Sequence, residues 1–228
     1  NKRNIQLSLW VIKKLKEQFK NILKWIKNPD EIRLKLSFRE KITLAARILL
    51  LDILIAFPFT GLIYLIHHYI IKLEEPLTDW HPLLLIALMI LVIPIIEELI
   101  FRFPLKYKRN YIFRLLNWIT IKWFEKRSSS IFKYFLYVLI TVFGLIHLSN
   151  FNNRELIFYA LSPIIIGSQL IGGVTLSYTR IKLGFIWSII QHCAFNLLIL
   201  LIGLIFYHNQ SITNISNNEL TIKINELM

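Results

Sequence analysis

The stretch "VIPIIEELIFRFPL", residues 92–105, sets Glu97, Glu98 and Arg102 inside a run of Ile, Leu, Val and Phe. An acidic or basic side chain at bilayer depth costs roughly 2.5–3.5 kcal/mol on insertion scales unless it is paired or hydrated. Whether this run is membrane therefore decides how its charges are read. Around it, 55% of the 228 residues are hydrophobic and the mean hydropathy is +0.54, too apolar for an ordinary soluble domain. Gly and Pro number only seven each, which argues against a turn-rich β architecture. The composition predicts an all-α fold, a polytopic membrane helix bundle.

Five apolar spans are expected, at roughly 43–66, 81–105, 131–149, 155–178 and 184–207. At ~1.5 Å per residue each is long enough for a ~30 Å hydrocarbon core. They make a transmembrane helical domain over residues 43–207, followed by a polar, Asn-rich tail over 208–228. Residues 1–42 form a basic amphipathic interfacial segment: Ile12, Leu15, Phe19, Ile22, Leu23 and Ile26 recur at helical spacing beside Lys13, Lys16, Lys20, Lys24 and Lys27. Such a helix lies on anionic headgroups or packs on the end of its own bundle.

The net charge of +13 does not indicate nucleic acid, because the basic residues cluster beside the apolar runs. Residues 1–42 carry twelve Lys and Arg, the 106–133 connection carries eight, and the 179–183 turn adds Arg180 and Lys182. The alternate connections hold only Lys72 and Arg154, and the tail only Lys223. With five spans these groups fall on opposite sides of a bilayer. The expected protein is integral to a membrane, taken as the bacterial cytoplasmic (inner) membrane, with a cytoplasmic N-terminus and an external C-terminus.

Glu98 and Arg102 are four apart, share a helix face and can pair. Glu97 is turned about 100° away and needs another partner. Pro94, three residues earlier, is expected to kink the helix. The third span ends "TVFGLIHLSN", with Phe143 one turn before His147, and the fifth contains "SIIQHCAFNLL", with His192 and Asn196 on one face. Polar groups on three spans satisfy one another by meeting at an interior site.

The sequence holds no Gly-x-Ser-x-Gly and no His-Glu-x-x-His, and Cys193 points away from its neighbour His192 on a helix. Activated water suits the set that remains. Glu97 would be general base, with His147 orienting the water, and His192 and Asn196 would donate to an oxyanion. The same residues Glu97, His147 and His192 also make a three-ligand set for a divalent metal such as zinc. The spacing does not choose between the two.

"EELIFR", "FGLIH" and "HCAFN" are Glu-Glu-x-x-x-Arg, Phe-x-x-x-His and His-x-x-x-Asn, in order on successive spans. Over about residues 85–205 the chain resembles the CPBP intramembrane proteases, the family of CAAX prenyl endopeptidases and bacteriocin-processing (Abi) proteins. The resemblance implies an endopeptidase acting on a membrane-associated peptide or protein. Glu97 and His147 would activate water, His192 and Asn196 would bind the oxyanion, and Glu98, Arg102 and Phe143 would support them. Phe103 stands where the family often has Gly, and the 106–133 connection is longer and more basic than is usual there.

Two other readings compete. One is a catalytically inactive relative serving as a scaffold subunit for a protein partner, through the basic helix and the 106–133 loop. The other is a transporter, which would be expected to show repeated halves and broken helices. Neither feature is visible in the sequence. One count fits poorly: measured from Lys106, Lys182 and Lys133, the depths come to roughly 13 Å for Glu97, 15 Å for His192 and 21 Å for His147 at ~1.5 Å per residue.

Overall fold

The computed structural model describes residues 2–74, 81–106, 118–119 and 128–205. The described residues contain helices and no strand. Five helical stretches are long and apolar enough to cross a membrane: Phe38–Tyr69, Leu83–Leu105, Ile131–Asn150, Leu156–Lys182 and Phe185–Ile205. They coincide with the five expected spans. The polar tail and most of the 106–133 connection lie outside the described residues.

Helix α1 (Lys2–Lys27) is amphipathic, with Lys24 and Lys27 complementing the dipole in its last turn. Leu15, Ile22, Trp25 and Ile26 pack into the main apolar cluster, with Ile48, Leu51, Leu136 and Tyr178. Trp25 meets the Tyr178 ring edge-on at 5.4 Å, and the Tyr137 hydroxyl donates to the Ile26 carbonyl at 2.6 Å. Leu9, Trp10, Ile12, Phe19 and Leu23 stay exposed. One stripe of α1 thus packs on the end of the bundle, as one of the two readings of this helix expects, and a neighbouring apolar stripe stays exposed.

Helix α2 (Phe38–Tyr69) starts at a capping box, in which the Glu40 backbone donates to Ser37 Oγ and the Glu40 carboxylate accepts from the Ser37 N–H. The second span comprises α3 (Pro82–Ala87), a π turn (Leu88–Val92), α4 (Ile93–Phe101) and a 3₁₀ turn (Phe103–Leu105). Proline explains the π turn. Pro94 has no N–H to offer the preceding carbonyls, and Ile93 N–H reaches back to the Leu88 carbonyl, a five-residue bond that shifts the ladder by one position.

Helix α5 (Ser128–Ile146) runs into a 3₁₀ turn at His147–Asn150. Leu105, the last residue of the second span, packs with Phe132, Leu136 and Ile140. The first turns of α5 therefore extend past the end of that span, and counting from Lys133 overstates the depth of His147.

The fourth span is broken, a feature the sequence reading missed. Helix α6 (Leu156–Ile165) contains Pro163 and stops at Ile166, and α7 (Gly167–Lys182) restarts at once. A Cβ on Gly167 would lie 2.0 Å from Phe59 Cε1, so only glycine lets α7 begin this close to α2. Arg180 and Lys182, read as turn residues, are buried on α7. The turn itself is Leu183–Gly184, before α8 (Phe185–Ile205). Lys182 pairs with Asp30 at 2.6 Å, and Leu34 N–H donates to the Lys182 carbonyl at 3.0 Å. These contacts lay the 28–37 segment across the end of α7. At the opposite end Asn153 accepts from the Glu74 N–H at 2.9 Å and donates to the Lys72 carbonyl at 3.0 Å, joining α2 to α6.

Candidate active site

The two adjacent glutamates of α4 have separate surroundings, as their 100° offset predicts. Glu98 is fully buried and lies 3.5 Å from Arg102 Nε. The Arg102 guanidinium is also buried and stacks on the Phe143 ring, 3.8 Å from its centroid. This contact is worth most where water is absent. It takes the place of oxygen partners for the two terminal nitrogens, which have none.

Glu97 is less enclosed, at 17% side-chain exposure, and sits between the two histidines. Its Oε1 is 3.9 Å from His147 Nε2 and its Oε2 is 3.4 Å from His192 Nε2. Each imidazole is oriented from its far side. His147 Nδ1 lies 2.7 Å from the Phe143 carbonyl, one turn back on α5. A carbonyl only accepts, so Nδ1 carries a proton and Nε2 is the nitrogen turned to Glu97. His192 Nδ1 lies 3.2 Å from Glu98 Oε1, so this ring spans both glutamates. Phe143 is buried between the rings, with centroids 4.8 Å from His147 and 6.0 Å from His192. All seven residues picked from the sequence lie on these helices, and six of them form this contact network.

Asn196, the seventh, is placed differently. Its Nδ2 donates to the Met89 carbonyl at 2.8 Å. In a regular helix that carbonyl would accept from Ile93, whose N–H is drawn to Leu88; the next residue able to reach it is Pro94, which has none. Asn196 supplies the missing donor from α8 and has a second N–H left.

A cavity of about 110 Å³ lies beside the site, with Asp52, Phe143, Ser168, His192, Phe195 and Asn196 in its wall. It has room for several waters, since one needs about 10–15 Å³. Asp52 is a site-wall residue that the sequence reading passed over, although an acid within "ILLLDILIA" carries the same signal as Glu97. It is buried and accepts from Gln191 Nε2 at 2.9 Å, and Gln191 accepts from Thr179 at 2.7 Å. Gln191 precedes His192, so this chain of hydrogen bonds fixes the rotation of α8 against α2 and α7.

Among the described residues no three His, Cys, Asp or Glu side chains are grouped closely enough to hold a metal ion. The donor types of Glu97, His147 and His192 suit zinc, and their facing oxygens and nitrogens lie 3.4 and 3.9 Å apart.

No similar protein is found among curated sequences or solved structures. A family model described as "Type II CAAX prenyl endopeptidase Rce1-like" matches residues 79–198, which is more than half of the chain and includes every residue of the Glu97 network. With its motifs, its spans and this match in agreement, the chain belongs to the Rce1-like type II CAAX prenyl endopeptidase family, a family of membrane proteases.

Proposed function

We propose that the protein is an intramembrane endopeptidase that hydrolyses a peptide bond in a membrane-associated peptide or protein. The observation that carries this reading is the position of Glu97, a carboxylate at membrane depth, unpaired with Arg102 and facing two imidazole nitrogens. In the proposed reaction a water between Glu97 and His147 Nε2 attacks the scissile carbonyl carbon, and Glu97 takes its proton. The oxyanion that forms accepts hydrogen bonds from His192 Nε2, protonated in this role, and from the second N–H of Asn196. The proton held by Glu97 then passes to the leaving nitrogen, the C–N bond breaks, and the amine and a carboxylic acid leave, the acid giving its proton to the amine in water. Glu98 holds His192 through Nδ1, Arg102 offsets the Glu98 charge, and Phe143 spaces the two rings.

The family description names prenyl endopeptidases, so lipid-modified peptides are the first substrates to try. On this reading the protein sits in a bacterial cytoplasmic membrane, and the distribution of Lys and Arg supports a cytoplasmic N-terminus. A divalent metal such as zinc, held by Glu97, His147 and His192, would supply Lewis-acid polarisation of the water instead, and no step above passes through one. The test uses the full chain in lipid nanodiscs with a library of lipidated and unmodified peptides, read by mass spectrometry. The parent protein should cleave, and Glu97→Gln should fold and lose ~10²-fold or more of the rate, the scale for loss of a general base. Parental cleavage by Glu97→Gln would remove the mechanism. One metal per parent chain, lost in His192→Ala, would transfer the water-activating role to the metal. A parent that cleaves nothing yet holds a protein partner tightly would identify a scaffold subunit.

A further inference from the structure

Helix α7 contains three glycines, where alanine is the more stable helix residue. Two of them have a packing reason. A Cβ on Gly167 would run into Phe59, and a Cβ on Gly173 would stand 3.1 Å from Ile140 Cγ2. Gly172 has no such reason, because a Cβ there would meet no atom of another element within 4 Å. Backbone conformation does not demand glycine at this position either: among the described glycines only Gly184 has a positive φ.

The space that a side chain at position 172 would enter is the cavity beside the Glu97 network. Ser168, Gly172 and Leu176 follow one another at four-residue spacing, so they share one face of α7. All three line that cavity of about 110 Å³, and His192 and Asn196 of α8 line it too. The missing side chain of Gly172 therefore keeps open a space next to the two groups assigned to the oxyanion. What fills it during hydrolysis is the side chain of a residue flanking the scissile bond.

The volume sets the size of that side chain. An apolar cavity of about 150 Å³ takes a benzene ring. The space here falls short of that and suits a side chain of about one to four heavy atoms. Its wall mixes Asp52, Ser168 and Gln169 with Ile171 and Phe195, so it ranks side chains by size more than by polarity.

We propose that Gly172 is a specificity-determining residue, which holds open a subsite for a short side chain beside the scissile bond and thereby excludes aromatic ones. The proposal rests on the hydrolytic reading of the Glu97 site. The test presents a library of membrane-anchored peptides, varied among Gly, Ala, Val, Leu, Phe and Trp at each position in turn, to the full chain in lipid nanodiscs. Cleavage by the parent is read by mass spectrometry. Retention is read separately on Glu97→Gln nanodiscs, so that it does not depend on turnover. At one position Val should exceed Phe by about tenfold or more, the scale for a misfit of a methylene or more in a pocket. Gly172→Leu, alone for cleavage and combined with Glu97→Gln for retention, should lower the ratio of Val to Gly at that position by about tenfold or more. Gly172→Ala should lower it less and should melt at or above the parent, as expected where alanine replaces a helical glycine without a clash.

A lower melting temperature for Gly172→Ala would show that packing requires the glycine and would overturn the proposal. So would a Val-to-Gly ratio that Gly172→Leu leaves unchanged, or a library from which nothing is retained. Retention with the expected ranking and its shift in Gly172→Leu, but without cleavage by the parent, would keep the subsite and remove the hydrolytic reading. Cleavage with a ranking indifferent to residue 172 would do the reverse.

Discussion

Asn196 donates to the carbonyl of Met89 across 2.8 Å, and Pro94 is the reason that carbonyl is available. The bond ties α8 to the π turn immediately before the glutamates. Asn196→Ala should destabilise the protein by about 1–3 kcal/mol, the cost of a polar group left without its partner. In a Pro94→Ala background an N–H returns to the helix and the same substitution should cost less. Thermal melts of the four proteins of this cycle in nanodiscs give the coupling energy, and additive costs would show that Pro94 does not create the need for Asn196.

Arg102 offsets the charge of Glu98 where both side chains are buried. Removing one member of a buried pair costs about 3–5 kcal/mol. Arg102→Ala should therefore lower folded yield and melting temperature sharply. Arg102→Ala/Glu98→Gln should recover much of the loss, because no uncompensated charge remains. If the double variant is as unstable as the single one, stacking on Phe143 is the main contribution of Arg102.

The two nitrogens of His147 have separable jobs. His147→Asn keeps a side-chain donor for the Phe143 carbonyl but has nothing at the Nε2 position. It should fold and melt like the parent and lose ~10²–10⁴-fold in peptide cleavage, the range for a positioned proton-transfer group. His147→Ala should lose as much activity and some stability as well. Parental activity in His147→Asn would confine this histidine to orienting the end of α5.

Reporter fusions after residues 42, 75, 118 and 215 test the orientation. Cytoplasmic signals are expected after residues 42 and 118, where Lys and Arg are dense, and external signals after residues 75 and 215. A cytoplasmic signal at 215 would be incompatible with five spans.

Asp52 supports α8 from outside the matched segment 79–198. Asp52→Leu should strand the Gln191 amide and cost about 1–3 kcal/mol in stability. Asp52→Asn retains an acceptor oxygen and should cost less. Equal melting of the two variants would mean that Gln191 finds another partner.

The sequence by itself determined the spans, the amphipathic first helix and the Glu98–Arg102 pair, and it singled out the candidate residues that meet around Glu97. All of these rest on local information: the mean hydropathy of about twenty residues, or positions four apart on one helix. The tertiary structure decided what depends on contacts between distant segments. It set His192 against both glutamates, joined Asp52 to Gln191 across 139 residues, and gave Asn196 a carbonyl to cap. It also decided which apolar residues are interior. Ile96 is 49% exposed and Phe101 only 4%, yet both are apolar and lie on one short helix. A lipid-facing side chain and a packed one satisfy the same solvent preference, because hydrocarbon surrounds the bundle as well as fills it. Hydropathy therefore reads the membrane and leaves packing unread, so only the polar residues marked the interior before the fold was known.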